Sequence, residues 1–246
     1  MFQPLKFTNS GHIFIDPSDD PELIASLLDP ISYGEEFCVA LDLSPPFIAR
    51  LMAAGFLVMS ILDQEGAVIL LPEMHLERST LFFDQLHEGR TLRRLIPRFE
   101  LKVDGLGSGS GDFHRILERC AQVHGEDWLT APLRRSFHAL YRSGPPEEPG
   151  PGAARMISFG LYCRGRLAAG EFGALAGRVY TSYSGYRDED SAGSVQLALT
   201  GRWLRDSGFA FWDLGMLLPY KERLGAQSLC RAEFLERFRS ARQGIL

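Results

Sequence analysis

A chain of 246 residues with 45% hydrophobic and 23% charged residues has the composition of a soluble globular protein, long enough for one large domain or a main domain with a small appendage. A net charge of −5 excludes a generic nucleic-acid coat. No apolar run approaches the ~20 residues of a membrane-spanning helix, and the opening MFQPLKFTNSGHIFID lacks a basic region followed by an apolar core, so it reads as no signal peptide.

In chain order, the first part reads as helical and loop-rich. DPELIASLLDP places acids before apolar residues at helical spacing. LSPPFIARLMAAG carries Ser44 as N-cap, Pro45 in the first turn and Gly55 past the end. AVILL (67–71) predicts a strand, the segment from Glu77 towards Leu86 a helix, and RFELKV (98–103) a second strand. After the turn DGLGSGSGD (104–112), Asp112 caps a helix with Phe113, Ile116, Leu117, Cys120 and Val123 on one face. Another helix starts at Thr130 with Leu133, Phe137, Leu140 and Tyr141 inward, and SGPPEEPGPGA (143–153) reads as an exposed loop.

The remainder is more regular. RMISFGLYC (155–163), LAAGEFGAL (167–175) and RVYTSYSGY (178–186) are strand-like runs separated by RGR and AG, which is hairpin spacing and predicts an antiparallel meander. A helix over about 191–207 stacks Val195, Leu199 and Trp203 and closes at Gly208. The strand FAFWD, a short helix around PYKERL and a final helix from Arg231 complete the chain. The sum is an α/β (α+β) protein with a mixed, mainly antiparallel sheet flanked by helices. A small N-terminal helical and loop domain is expected over 1–64, and the main domain over 65–246.

The four cysteines, Cys38, Cys120, Cys163 and Cys230, are scattered, with no CxxC and no paired histidines. That argues against a zinc site and for reduced thiols in a cytoplasmic protein. Three stretches are locally basic: EGRTLRRLIPRFELK (88–102), LRRSFHALYR (133–142) and RAEFLERFRSAR (231–242). Each is either a solvated helix face or a phosphate-contacting patch.

Seven fragments in order carry a resemblance: LDLSPPFIARLMAAGF (41–56), LLPEMHLERSTL (70–81), DWLT (127–130), ISFGLYCRGRLAAGEFGA (157–174), VYTSYSGY (179–186), WDLG (212–215) and YKERLGAQSLCRAEF (220–234). Their order and spacing resemble the leucyl/phenylalanyl-tRNA–protein transferases, whose corresponding elements read GDLSP, LFPE.LH.SRSL, TWIT, HSVE.W..G.LVGGLYG, FFGESMFS, DCQ and HL.SLGA. The resemblance implies a GNAT-like fold. It also implies transfer of leucine or phenylalanine from aminoacyl-tRNA, as co-substrate, to the N-terminal amine of a protein or peptide with a basic first residue, making a degradation signal under the N-end rule. Such a reaction calls for no metal or redox cofactor and no membrane. It needs an apolar side-chain pocket, a proton acceptor and donors for the developing oxyanion.

Carried over by position, the resemblance makes Trp128 a base-stacking or pocket-wall residue, or else a core tryptophan. His75 and Arg78 match LH.SR, Arg231 matches the arginine after LGA, Ser158 the serine of HSVE, and Ser184 that of GESMFS. Phe172, Trp212 and Met216 are candidates for the side-chain pocket. Asp213 is the candidate proton acceptor, assisted by Tyr183 or Ser184, or else a turn aspartate partnered by Gly215.

Departures from the pattern bear on the chemistry. The glutamate of GESMFS falls on Tyr183, and a phenol with a pKa near 10 is a poor base at neutral pH. The glutamine of DCQ falls on Gly215, and the glutamate of HSVE on Gly160. Two further readings therefore stay open: a catalytically degenerate member binding tRNA or peptide, and a GNAT-type acyltransferase using acyl-CoA. The second is disfavoured by the acids in RDEDSAGS (187–194), which would face a pyrophosphate at a helix N-terminus.

Overall fold

A computed structural model describes residues 5–31, 36–106, 111–143 and 153–244. Two short antiparallel strands, β1 (Lys6–Phe7) and β2 (Ile13–Phe14), precede helices α1 (Pro21–Ile31) and α2 (Pro45–Ala53). Helix α2 follows its sequence signals. Ser44 is extended at the N-cap, prolines occupy the first turn, and Gly55 turns the chain at φ +94°, a conformation glycine adopts without steric cost. The hairpin of β3 (Leu57–Leu62) and β4 (Val68–Glu73) comes next, and residues 64 and 65 lie in its turn.

The segment from Glu77 is a strand, β5 (Glu77–Leu81), and not the helix expected there; helical geometry is confined to a 3-10 turn at Phe83–Gln85. Strand β5 is hydrogen-bonded on both sides and buries Arg78, Ser79, Thr80 and Leu81. Two ladders formed with distant segments outweigh a weak local helix preference. Helix α3 (Arg90–Leu95), strand β6 (Phe99–Asp104), and helices α4 (Phe113–His124) and α5 (Ala131–Arg142) follow. On α4, Phe113, Ile116, Leu117 and Cys120 are buried as their spacing predicts, whereas Val123 is 45% exposed. Most of the loop expected at 143–153 lies outside the described residues.

Strands β7 (Arg155–Cys163), β8 (Arg166–Ala176) and β9 (Val179–Arg187) form the expected meander. Then come α6 (Ala192–Asp206), β10 (Phe211–Gly215), α7 (Pro219–Leu224), a strand without a sequence signal, β11 (Gln227–Cys230), and α8 (Arg231–Arg242). Among the described residues the main sheet has seven strands, in the order β11-β5-β10-β9-β8-β7-β6. Its two faces bury different residues, as strand alternation requires. Phe172, Ala174 and Phe211 join the core that also holds Ile13, Phe47, Phe113 and Phe238. Phe159, Leu175 and Trp212 pack beneath Leu204 of α6.

One pairing in this sheet sets the site. Strands β9 and β10 run parallel but pair only from Val179–Thr181 to Phe211–Asp213. Beyond that point β9 continues to Arg187 bonded to β8, while β10 ends at Gly215. The carboxyl ends of the two strands therefore splay. Open sheets offer ligand space at such a divergence of strand ends.

Candidate active site

The splay opens a groove of about 730 Å³ between the outer half of β9, the start of α6, the end of β10 and α7. One wall is Glu171 of β8. Its side chain accepts a hydrogen bond from the Ser182 hydroxyl at 3.1 Å, and that oxygen accepts the Trp212 indole N–H at 2.8 Å. Glu171 is 5% exposed, and burial pushes its carboxyl up to about 7; neighbouring hydroxyls and the Lys221 ammonium act in the opposite direction. It is the one carboxylate among the described residues lining the groove.

Lys221 of α7 lines the same groove. Its ammonium donates to the Leu214 carbonyl at 2.5 Å and the Met216 carbonyl at 2.8 Å, which fixes the chain just past β10. Burial pushes it down to about 8, against the opposing charges of Asp213 and Glu171. Gln196 of α6 is buried in the groove wall. Its amide nitrogen donates to the Phe159 carbonyl and to Thr200, while among the described residues its Oε1 has no donor. A carboxylate, a free amide oxygen and an ammonium thus share one cleft, two acceptors and one cation.

Asp213 lies at the foot of the splay but does not face it. It is fully buried. Arg78 grips both its oxygens, Nε at 2.9 Å and Nη2 at 2.8 Å, while the Thr181 hydroxyl donates at 2.9 Å and the Gly215 amide at 3.0 Å. Gly215 takes φ +72° there, in the left-handed turn the sequence allowed for. Arg78 also stacks on Phe234 at 4.5 Å and donates to the Gly55 carbonyl. The pair therefore links β5, β10 and β9 to the chain after α2.

The other sequence candidates divide between groove and core. Tyr183 borders the groove, but its hydroxyl is committed to the β3 end of the hairpin: it accepts the Val58 amide at 3.0 Å and donates to the Phe56 carbonyl at 3.4 Å. Burial raises its phenol well above the ordinary value. Ser184 lines the groove. Cys120 beside it carries a thiol that burial pushes up to about 12, unsuited to act as a nucleophile. Trp212 is buried below and reaches the groove through Ser182.

Phe172 packs among Phe113, Phe137 and Tyr183. Ser158 is buried on β7, and Trp128 is partly buried with its carbonyl accepting the Ser60 amide. Met216 is 57% exposed at the end of β10. His75 sits between Glu36 and Glu73, 3.5 and 3.6 Å away, with its ionised form disfavoured first by burial and then by Arg78. Arg231 is 2% exposed, with its amide donating to the Leu76 carbonyl and its Nε 3.5 Å from the His75 carbonyl. The structure therefore brings Tyr183 and Ser184 to the groove, buries Arg78, Arg231 and Asp213 outside its lining, and leaves His75 half-buried.

The sequence motifs do not single out Glu171, Gln196 or Lys221. Glu171 had a signal of its own: a single acid inside the apolar, glycine-flanked run LAAGEFGAL. Gln196 and Lys221 had none, since each reads as an ordinary polar residue on a helix.

The model of the family described as leucyl/phenylalanyl-tRNA protein transferase matches residues 80–239, well over half of the chain. A transferase of that name from Rubrobacter xylanophilus is 28% identical over 166 residues, spanning 67% of this chain and 78% of the relative. Another from Pseudomonas aeruginosa is 28% identical over 170 residues, spanning 66% and 68%. The chain belongs to the leucyl/phenylalanyl-tRNA protein transferase family. Among solved structures, FemX superposes with a TM-score of 0.45 at 11% identity over 88% of this chain and 78% of its own. The L-PGS of Bacillus licheniformis gives 0.41 at 10% identity over 96% and 88%. These are remote likenesses of shape.

Proposed function

We propose that the chain moves a leucyl or phenylalanyl group from its charged tRNA to the N-terminal amine of a protein, and that the reaction takes place in the groove between β9 and β10. The observation that carries this reading is the splay itself: in a chain of this family, a groove of about 730 Å³ opens at diverging strand ends and holds a buried carboxylate, a free amide oxygen and an ammonium. The chemistry is aminolysis of an activated ester. It calls for an acceptor for the amine's proton, and it draws on no cofactor beyond the charged tRNA.

The mouth of the groove at His87, Gly89 and Leu92 adjoins α3, where Arg90, Arg93 and Arg94 are exposed, with Arg98 just beyond. A strand of phosphates whose 3′ end enters the groove would meet this row, which fits the acceptor stem of a tRNA. Lys221 and Arg223 extend the positive charge along α7. In this reading Asp213 and Arg78 position β10 and β5 below the reacting groups. The acceptor is a protein or peptide with a basic first residue, its modified product is a degradation signal, and the setting is the cytoplasm. No helix among the described residues is long and apolar enough to cross a membrane.

Incubating the chain with leucyl- or phenylalanyl-tRNA and an Arg-starting peptide tests the reading. Peptide heavier by one leucyl or phenylalanyl residue is expected. A tRNA mobility shift without product would instead make the chain a binding module, and stabilisation by acyl-CoA would point to the other acyl donor.

A further inference from the structure

We infer that Glu171 is the catalytic base of this chain, the carboxylate that takes the proton of the attacking amine and returns it to the leaving ribose oxygen. The inference rests on the transferase reading above. Three geometric facts carry it. Glu171 is the one carboxylate among the described residues lining the groove. Asp213 is enclosed, with its oxygens already engaged by Arg78, Thr181 and Gly215, so an incoming amine finds no free lone pair. Tyr183, where the family pattern has glutamate, turns its hydroxyl to the backbone of Phe56 and Val58.

The neighbours of Glu171 suit the role. The relay from the Trp212 indole through the Ser182 hydroxyl holds one carboxylate oxygen in place. The buried Oε1 of Gln196, a residue of the same groove wall, has no donor among the described residues. The Tyr180 and Ser182 hydroxyls and then the Lys221 charge favour the ionised carboxylate, against the burial that raises it. A carboxyl pushed to about 7 is matched to a proton leaving an α-amine at neutral pH. In the family pattern LVGGLYG the position matching Glu171 is leucine. The groove thus holds its carboxylate on β8, across the ladder from Gly185, and not on β9.

The step balances. The neutral α-amine attacks the ester carbonyl carbon, a C–N bond forms, and one N–H proton passes to Glu171. As the tetrahedral centre collapses, the C–O bond to the ribose breaks. Glu171 then gives the proton to the departing ribose oxygen, leaving an amide, a free hydroxyl and an ionised carboxylate.

The test is kcat/KM for transfer against pH in the wild type, Glu171→Gln and Glu171→Asp, with melting temperature and tRNA mobility shift measured alongside. In the wild type, log kcat/KM should fall with a slope of two on the acid side. One proton belongs to the peptide amine, with a pKa of about 7.7–8.0, and one to Glu171. Glu171→Gln should lose about 10²–10⁴-fold, keep its tRNA shift, and retain only the slope of one from the amine. Glu171→Asp should keep the slope of two at a reduced rate, and it serves as the readout should the glutamine variant fail to fold. Glu171→Gln activity within threefold of wild type, or a slope of two persisting in it, overturns the assignment while the transferase reading stands. No product from the wild type with any charged tRNA overturns that reading, and this assignment with it.

Discussion

Arg78 and Asp213 form a bidentate pair with side chains 1% and 0% exposed. Removing one partner of such a pair leaves a buried charge uncompensated, which costs about 3–5 kcal/mol. Asp213→Asn should therefore lower the unfolding free energy obtained from urea titration by that amount, together with any loss of transfer; a variant as stable as wild type would show the pair to be dispensable for the fold. The sequence motifs mark both residues but not their partnership, because 135 positions separate them. Gly215 explains part of the arrangement: with no side chain and φ +72°, it offers its amide to Asp213 where the family pattern has glutamine. Glu171 was hidden for a different reason. A lone acid in the apolar run LAAGEFGAL marks Glu171 as unusual, but motif positions direct attention to β9 and β10, and its place in the groove on the neighbouring β8 follows only from the folded meander.

At the level of elements, the meander was legible because its signals are local, three apolar runs at hairpin spacing. Strands β5 and β11 were not. Each is short, and each owes its conformation to partners far along the chain. The splay was equally hidden, since it depends on how few residues of β9 and β10 pair. A register shift between Phe172 and Gly173 accompanies it on the β8 side, leaving Tyr183 without a ladder partner. Gly173 is required there: an added Cβ would stand 2.1 Å from the Thr181 carbonyl oxygen and 2.7 Å from the Tyr180 ring. Since Thr181 is backbone in the ladder beside Asp213, it has no room to yield. Gly173→Ala should cost roughly 3 kcal/mol or more and reduce transfer by distorting the groove, as thermal melting and a transfer assay would report. Wild-type stability in this variant would mean that the strands separate more easily than the ladder indicates.

For the whole molecule, a net charge of −5 coexists with an exposed arginine row beside the groove mouth. The acidic total describes the chain as a whole, whereas in the proposed function the arginine row is the face that would receive the tRNA phosphates. Association through phosphates releases counterions, so affinity should fall steeply with salt. The Arg93→Glu/Arg94→Glu double variant should weaken tRNA binding at least tenfold at low salt and flatten the slope of log affinity against log salt, while leaving melting unchanged. A wild-type salt slope in that variant would move the tRNA to another face. The fold class was readable from the sequence as an order of elements. The groove was not, because the residues that furnish it come from β8, α6 and α7 and carry no shared motif.

The most direct test of the account is a single turnover of stoichiometric leucyl-tRNA with an Arg-starting peptide. The account predicts that peptide carrying an N-terminal leucine appears at the rate at which the tRNA ester is consumed. Bound leucyl-tRNA with its ester intact, or ester loss by hydrolysis with the peptide unchanged, would contradict it.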